Sequence, residues 1–119
     1  MGERKWAKVS ADAVEKERST CGFRQRLFKK DDGVPASITR LKTDRAQAHW
    51  HRHTHEYYFV LVGEGRLIID GDEVPVGEGD CVWIRPGAMH HAEGELESLI
   101  VAMPAFDPAD MFLDPPPAE

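Results

Sequence analysis

The stretch "HWHRHTHEYYFVLVGEG", His49–Gly65, decides how the rest of the chain is read. It holds four of the six histidines, on alternate residues, followed by a glutamate and a strongly apolar run. On an extended strand alternate side chains point the same way, so His49 and His51 project to one side and their imidazoles can converge. Glu56 follows after four residues able to turn, which brings its carboxylate back beside His51. Two imidazoles and a carboxylate supply three ligands of a mixed nitrogen/oxygen metal site, and a fourth is expected from another strand. The stretch "GDCVWIRPGAMHH", Gly79–His91, offers it. A strand ends there in a Pro-Gly turn and returns through His90, with Pro fixing the approach and Gly allowing a tight reversal.

Outward from these two stretches, turn signals punctuate the chain: "DDG" at 31–33, "GEG" at 63–65, "DGD" at 70–72, "GEGD" at 77–80 and "RPG" at 85–87. Between them lie "ASITRL", "EYYFVLV", "RLIID", "EVPV", "CVWI" and "LESLIVAM", rich in β-branched, aromatic and aliphatic residues. Short strands separated by Gly-containing turns predict an all-β sandwich or barrel. After Glu56, strict alternation puts Tyr58, Val60 and Val62 on the glutamate's face and Tyr57, Phe59 and Leu61 on the other. Both faces are apolar, so something must cover the second one. "SADAVEKER" predicts one or two helical turns with Ser10 as N-cap, and "DPADMF" a short helix capped by Asp107 with Pro108 first. The closing "DPPPAE" is expected to be extended or disordered.

The 119 residues make one domain, large enough for a proper core. No apolar stretch approaches membrane-spanning length, and "MGERKWAKVS" lacks a signal peptide's apolar core. Cys21 and Cys81 show no CxxC spacing, so they read as buried free thiols in a reducing compartment, and the cytoplasm is the expected location. The net charge of −6 is uneven: residues 1–45 carry twelve Lys/Arg against seven Asp/Glu, and residues 46–119 carry three against fourteen. The basic residues are interleaved with acids and lack an aromatic stacking pattern, which argues against nucleic acid as the partner. The basic first segment is instead expected to lie against the acidic remainder, in the same subunit or in a partner.

Taken together, the two stretches resemble the paired motifs of the cupins. The first fits HxH, four residues, Glu, six residues, Gly, ending on Gly63. The second matches at Gly79, Gly87 and His90, with Arg85 at a position usually Pro. The resemblance covers roughly residues 35–103, with both motifs in order and spaced as in small single-domain cupins. It implies a jelly-roll barrel with short helical turns near the termini, flanked by an N-terminal segment, 1–34, and a C-terminal tail, 104–119. It also implies one divalent transition metal (Mn, Fe, Co, Ni, Cu or Zn) on His49, His51, Glu56 and His90. The alternative pair His51/His53 leaves only two residues before Glu56, too few for the motif. Thr43, Arg85 and Gly94 stand where the family has Gly, Pro and Asn; none is a ligand.

Other residues are candidates for the pocket. Tyr58 shares the Glu56 face and can offer a phenolic hydroxyl or simply pack in the core. Arg85 can pair with a substrate carboxylate or lie on the rim. His53 and His55, in the turn before Glu56, are either solvated or acid/base groups at the pocket mouth. His91 should point away from His90, and Cys81, in phase with Trp83, should be core. An N₃O ligand set leaves open coordination positions. The expected function is therefore a small metal-dependent enzyme acting on an oxygen-rich small molecule, of oxygenase, isomerase or decarboxylase type. The alternative is a non-catalytic module binding a sugar or carboxylate. The Tyr57/Phe59/Leu61 face and the basic first segment resemble small cupins that pair as homodimers, often by exchanging N-terminal strands.

Overall fold

Among the described residues the chain forms seven antiparallel strands: β1 (Glu17–Arg18), β2 (Gly22–Phe28), β3 (Ser37–Thr43), β4 (His55–Ile69), β5 (Asp72–Gly77), β6 (Cys81–Ile84) and β7 (His90–Met103). This computed structural model describes residues 4–117. The strands form one sheet in the order β1-β2-β3-β7-β4-β5, with β6 also paired to β4. The long strand β4 pairs with β7 from His55 to Ile69 along one edge. Its other edge takes β6 over Glu56–Phe59 and β5 over Glu64–Ile69. This is the expected all-β jelly-roll arrangement, with an open hydrogen-bonded path, since β1 and β5 do not pair with one another.

The core follows the two-residue period of the strands. Along β7, Ala92, Leu96, Ser98, Ile100 and Ala102 are buried while their neighbours are not. Of these, Ala92, Leu96 and Ile100 pack with Leu41, Tyr58, Val60, Leu67, Val76 and Ile84. At Asp70-Gly71 the chain reverses from β4 into β5 with both residues at positive φ (49° and 86°), the two-residue turn whose twist suits a hairpin.

Sequence and structure part at "GEG". Gly63 and Gly65 form no turn; they lie inside β4, paired with Leu96 and Gly94. A bulge between Val60 and Val62 breaks the alternation, so Val62 leaves the Glu56 face and is 51 % exposed. A glycine within a strand pattern marks a bulge or a close backbone approach, and both occur here. Beyond the bulge, Gly63, at φ 91°, lies so close to β7 that an added Cβ would fall 1.8 Å from the Glu95 carbonyl oxygen.

The helical turns are shorter than expected. Ser10 precedes a single 3₁₀ turn, Ala11–Ala13, but its side chain makes no capping bond, and the chain is already in β1 at Glu17. Asp107 does cap Pro108–Asp110, accepting the Ala109 N–H at 2.9 Å. The segment after Met103 is docked rather than trailing. Phe112 pairs with Trp50 through two backbone hydrogen bonds of 3.0 Å, and their rings lie 4.7 Å apart. Residues 114–117 carry no regular structure, and the end of "DPPPAE" lies outside the described residues. Among the described residues no helix is long and apolar enough to cross a membrane.

Candidate metal centre

Four buried polar side chains meet at one end of the sheet: His49, His51, Glu56 and His90, the last only 1 % exposed. Glu56 and His90 stand at the starts of β4 and β7. His49 is locked to His90 by a bridge, with N–H to carbonyl bonds of 3.0 and 2.8 Å in the two directions. The Pro-Gly turn before β7 is tied to the first histidine stretch, since the Gly87 N–H donates to the His51 carbonyl at 2.8 Å. The two distant motifs are thus joined by backbone as well as side chains.

The imidazoles are oriented by their outer nitrogens. His49 Nδ1 lies 3.0 Å from the Gln47 carbonyl oxygen, His51 Nδ1 2.8 Å from that of Asp110, and His90 Nδ1 2.9 Å from that of Ala88. A carbonyl can only accept, so each Nδ1 donates to it and each ring is turned to direct its Nε2 into the site. Glu56 Oε1 lies 2.8 Å from His90 Nε2 and 3.1 Å from His51 Nε2, about the spacing of adjacent ligands on an ion with bonds near 2.1 Å. His51 Nε2 is nonetheless out of line for a hydrogen bond and is a buried nitrogen without a partner. One ligand atom from each of the four residues lies within 4.8 Å of all the others. Ligands on a common ion stand at most about 4.4 Å apart, so a few tenths of an ångström of contraction would close the set. The donor set fits a divalent transition metal.

Electrostatics hold Glu56 ionised and His49 neutral. Burial opposes charge on Glu56, but His51 and His90, with Nε2 atoms 3.1 and 2.8 Å from Oε1, outweigh it and hold the carboxyl well below its usual range. Burial, then the neighbouring His90, pushes His49 down to about 4, so it is neutral at pH 7. For His51 burial acts downward, yet the nearby Glu56 carboxylate leaves it raised, so a metal would compete with a proton there. An ionised carboxylate and a neutral imidazole are what metal binding requires.

Three of the four, His49, His51 and Glu56, line a cavity of about 80 Å³. Tyr58 lines it, 4 % exposed, with its ring edge-on to His90 at 6.1 Å. Burial, then the Glu56 charge, raises its phenol well above 10, so it is a neutral donor.

The other pocket candidates lie elsewhere. Glu56 faces inward on β4, so His55 faces outward, where its Nδ1 accepts the Trp83 indole N–H at 3.1 Å. Ile84 faces inward on β6, so Trp83 and Arg85 are outside, the guanidinium 4.3 Å over the indole. His53 is exposed, and its backbone N–H donates to the Asp110 carboxylate. His91 points away from His90, with Nε2 2.8 Å from Glu93. Cys81 does share phase with Trp83, but that phase is the exposed one, so it is not core; both cysteines are free, and Cys21 is half-buried.

Three contributors went unread in the sequence. Asp110 receives His51 Nδ1 on its carbonyl, and its carboxylate accepts the N–H groups of Arg52 and His53, at 2.8 and 3.0 Å. Phe106 packs edge-on against His51 at 5.8 Å, and Arg24 of β2 lines the cavity. "DPADMF" signals a cap, but nothing in it signals that the capped turn returns to the histidines.

A family model described as "Cupin domain" matches residues 39–101. A solved structure of a protein from Planctomyces limnophilus superposes with a TM-score of 0.82 at 29 % identity, covering 89 % of this chain and 95 % of that one. The Streptomyces protein Pac13, described as a nucleoside dehydratase, gives 0.82 at 19 % identity, covering 96 % and 95 %. Ectoine synthase from P. lautus gives 0.75 at 15 %, covering 96 % and 94 %. At such identities the last two show the fold alone. No curated protein sequence matches the chain. The family match spans more than half of the chain and contains all four converging side chains, and the protein belongs to the cupins.

Proposed function

We propose that His49, His51, Glu56 and His90 hold one divalent transition metal, drawn from Mn, Fe, Co, Ni, Cu and Zn. The chain is then a small metal-dependent enzyme acting on an oxygen-rich small molecule, of oxygenase, isomerase or decarboxylase type. One observation carries this reading: three imidazoles, each oriented by a backbone carbonyl, converge with a carboxylate beside a cavity that His49, His51 and Glu56 line. A bound metal supplies a Lewis-acid or redox centre with open coordination positions. The chain's own groups do the rest. The carbonyls of Gln47, Ala88 and Asp110 fix the imidazoles, Leu41, Ile100 and Phe106 exclude water, and Tyr58 offers a neutral hydroxyl. That Pac13 is described as a nucleoside dehydratase supports the view that this fold hosts small-molecule chemistry.

A binding module using the same metal is the second reading. It is favoured by the other cavity groups able to titrate, since burial raises both Cys21 and Tyr58 and leaves neither as a base near neutrality. Metal-loaded protein incubated under air with a panel of small acids, sugars and catechols separates the two. The enzyme reading expects one member to be converted at a rate that tracks metal content. Thermal stabilisation by one member, recovered unchanged, favours the module instead.

Residues 35–103 form the metal-holding barrel in this reading. Segment 1–34 packs on, or swaps into, a partner, and 104–119 closes the site through Phe106 and Asp110. The partner is a second copy. Tyr57, Phe59, Val62 and Trp83, each 40 % exposed or more, form an apolar outer face on β4 and β6 of the kind that marks an interface. A sedimentation mass near one chain's 13.4 kDa at micromolar concentration contradicts the dimer. Free cysteines fit residence in the cytoplasm.

A further inference from the structure

We propose that Arg24 is the anion anchor of the cavity, and that the molecule bound there is a small hydroxy or oxo acid. Its carboxylate meets Arg24 while its second oxygen group faces His49, His51 and Glu56. The inference rests on the reading of this cavity as a substrate site.

Arg24 lies in β2 opposite Leu41, a core residue, on the phase that faces inward. It shares the cavity lining with His49, His51 and Glu56. Its side chain is only 25 % exposed, an unusual place for a guanidinium without a matching acid. The match it has is partial. Glu17 Oε1 takes Arg24 Nε at 3.0 Å, and the same oxygen takes Arg26 Nε at 2.6 Å. One carboxylate therefore serves two cations. Among the described residues, the terminal nitrogens of Arg24 make no hydrogen bond.

This arrangement is suited to recognition. Glu17 holds the guanidinium at Nε and limits its rotamers, while the planar fork of terminal N–H groups stays available for a bidentate carboxylate. Size narrows the class. A water-sized group needs about 10–15 Å³ by this measure, so about 80 Å³ admits roughly six such groups. That suits a short acid with one further oxygen function. Glu17 is also a competitor: it occupies part of the charge that the ligand must use, so its removal should favour the ligand.

The test is calorimetric binding to metal-loaded protein of lactate, pyruvate and 3-hydroxybutyrate, each beside its amide, for the native protein, Arg24→Gln and Glu17→Gln. The native protein should prefer at least one acid over its amide. Arg24→Gln should weaken that acid about tenfold or more and leave the amide unchanged, because a charge-assisted bidentate contact is lost. Glu17→Gln should tighten the acid severalfold. Equal acid affinity in the native protein and metal-replete Arg24→Gln overturns the assignment, as does native protein with no preference for any acid. If Arg24→Gln fails to fold, Glu17→Gln decides: tightening supports the anchor, and unchanged or weaker binding overturns it. Metal content is measured in each sample. Absence of metal uptake by the native protein would sink the metal-centre reading, a result distinguishable from loss of the arginine's role.

Discussion

Loading the metal-free protein with a divalent transition metal is expected to raise the melting temperature by on the order of 15 °C, and His90→Ala to abolish the rise. An ion that binds only the folded chain, at a thousandfold excess over its dissociation constant, stabilises by about 4 kcal/mol. For a domain of this size each kcal/mol moves the midpoint by about 4 °C. The effect should be this large because the ion relieves a cost built into the fold. Glu56 and His51 are buried, and His51 Nε2 has no hydrogen-bond partner. His90 is the ligand to remove, since its Nε2 lies closest to Glu56 and its backbone holds His49. Thermal melts with and without added metal, and after chelation, check this. Equal stabilisation of the native protein and His90→Ala would contradict the ligand set. Acid should act as the chelator does, because protons compete for the same three nitrogens.

Gly63→Ala is the second large effect, with an expected loss on the order of 4 kcal/mol. Two costs combine. A side chain at φ 91° is strained by about 1–3 kcal/mol, and the Cβ must force the Glu95 carbonyl of β7 away, at a similar cost for overpacking. That would consume much of the stability of an ordinary domain. Gly71→Ala is the matched control: it has a similar φ of 86° but nothing within 4 Å of the new Cβ, so only the strain should appear. Urea denaturation of both variants measures the difference. A loss below about 1 kcal/mol for Gly63→Ala would show that β7 yields easily and that the close crossing does not shape the fold.

The all-β character and the four converging residues were legible in the chain because both are encoded locally, whereas the jelly roll itself was implied only by the resemblance to cupins. Alternation on a strand places His49 with His51, and the Pro-Gly reversal aims His90. Other features needed information the chain does not carry locally. "GEG" has the composition of a turn, and only the pairing of β4 with β7 shows that Gly63 and Gly65 serve a close crossing. The bulge before Val62 shifts the phase of everything beyond it, which no periodicity reveals beforehand. His55 directly precedes Glu56, and on a strand adjacency means opposite faces; His53 is exposed in the turn before β4, and Arg85 lies outside next to the inward-facing Ile84. Arg24 and Asp110 reach the site through register and docking between segments far apart in the chain, so nothing beside them in sequence marks their role.

The central claim is the metal itself. Elemental analysis of untagged protein expressed without added metal, beside His51→Ala, tests it most directly. About one transition-metal ion per native chain and near-complete loss in the variant are expected, since the missing imidazole carries a buried ring nitrogen without a partner. No ion in the native protein and no uptake on titration, or full occupancy in His51→Ala, would contradict it.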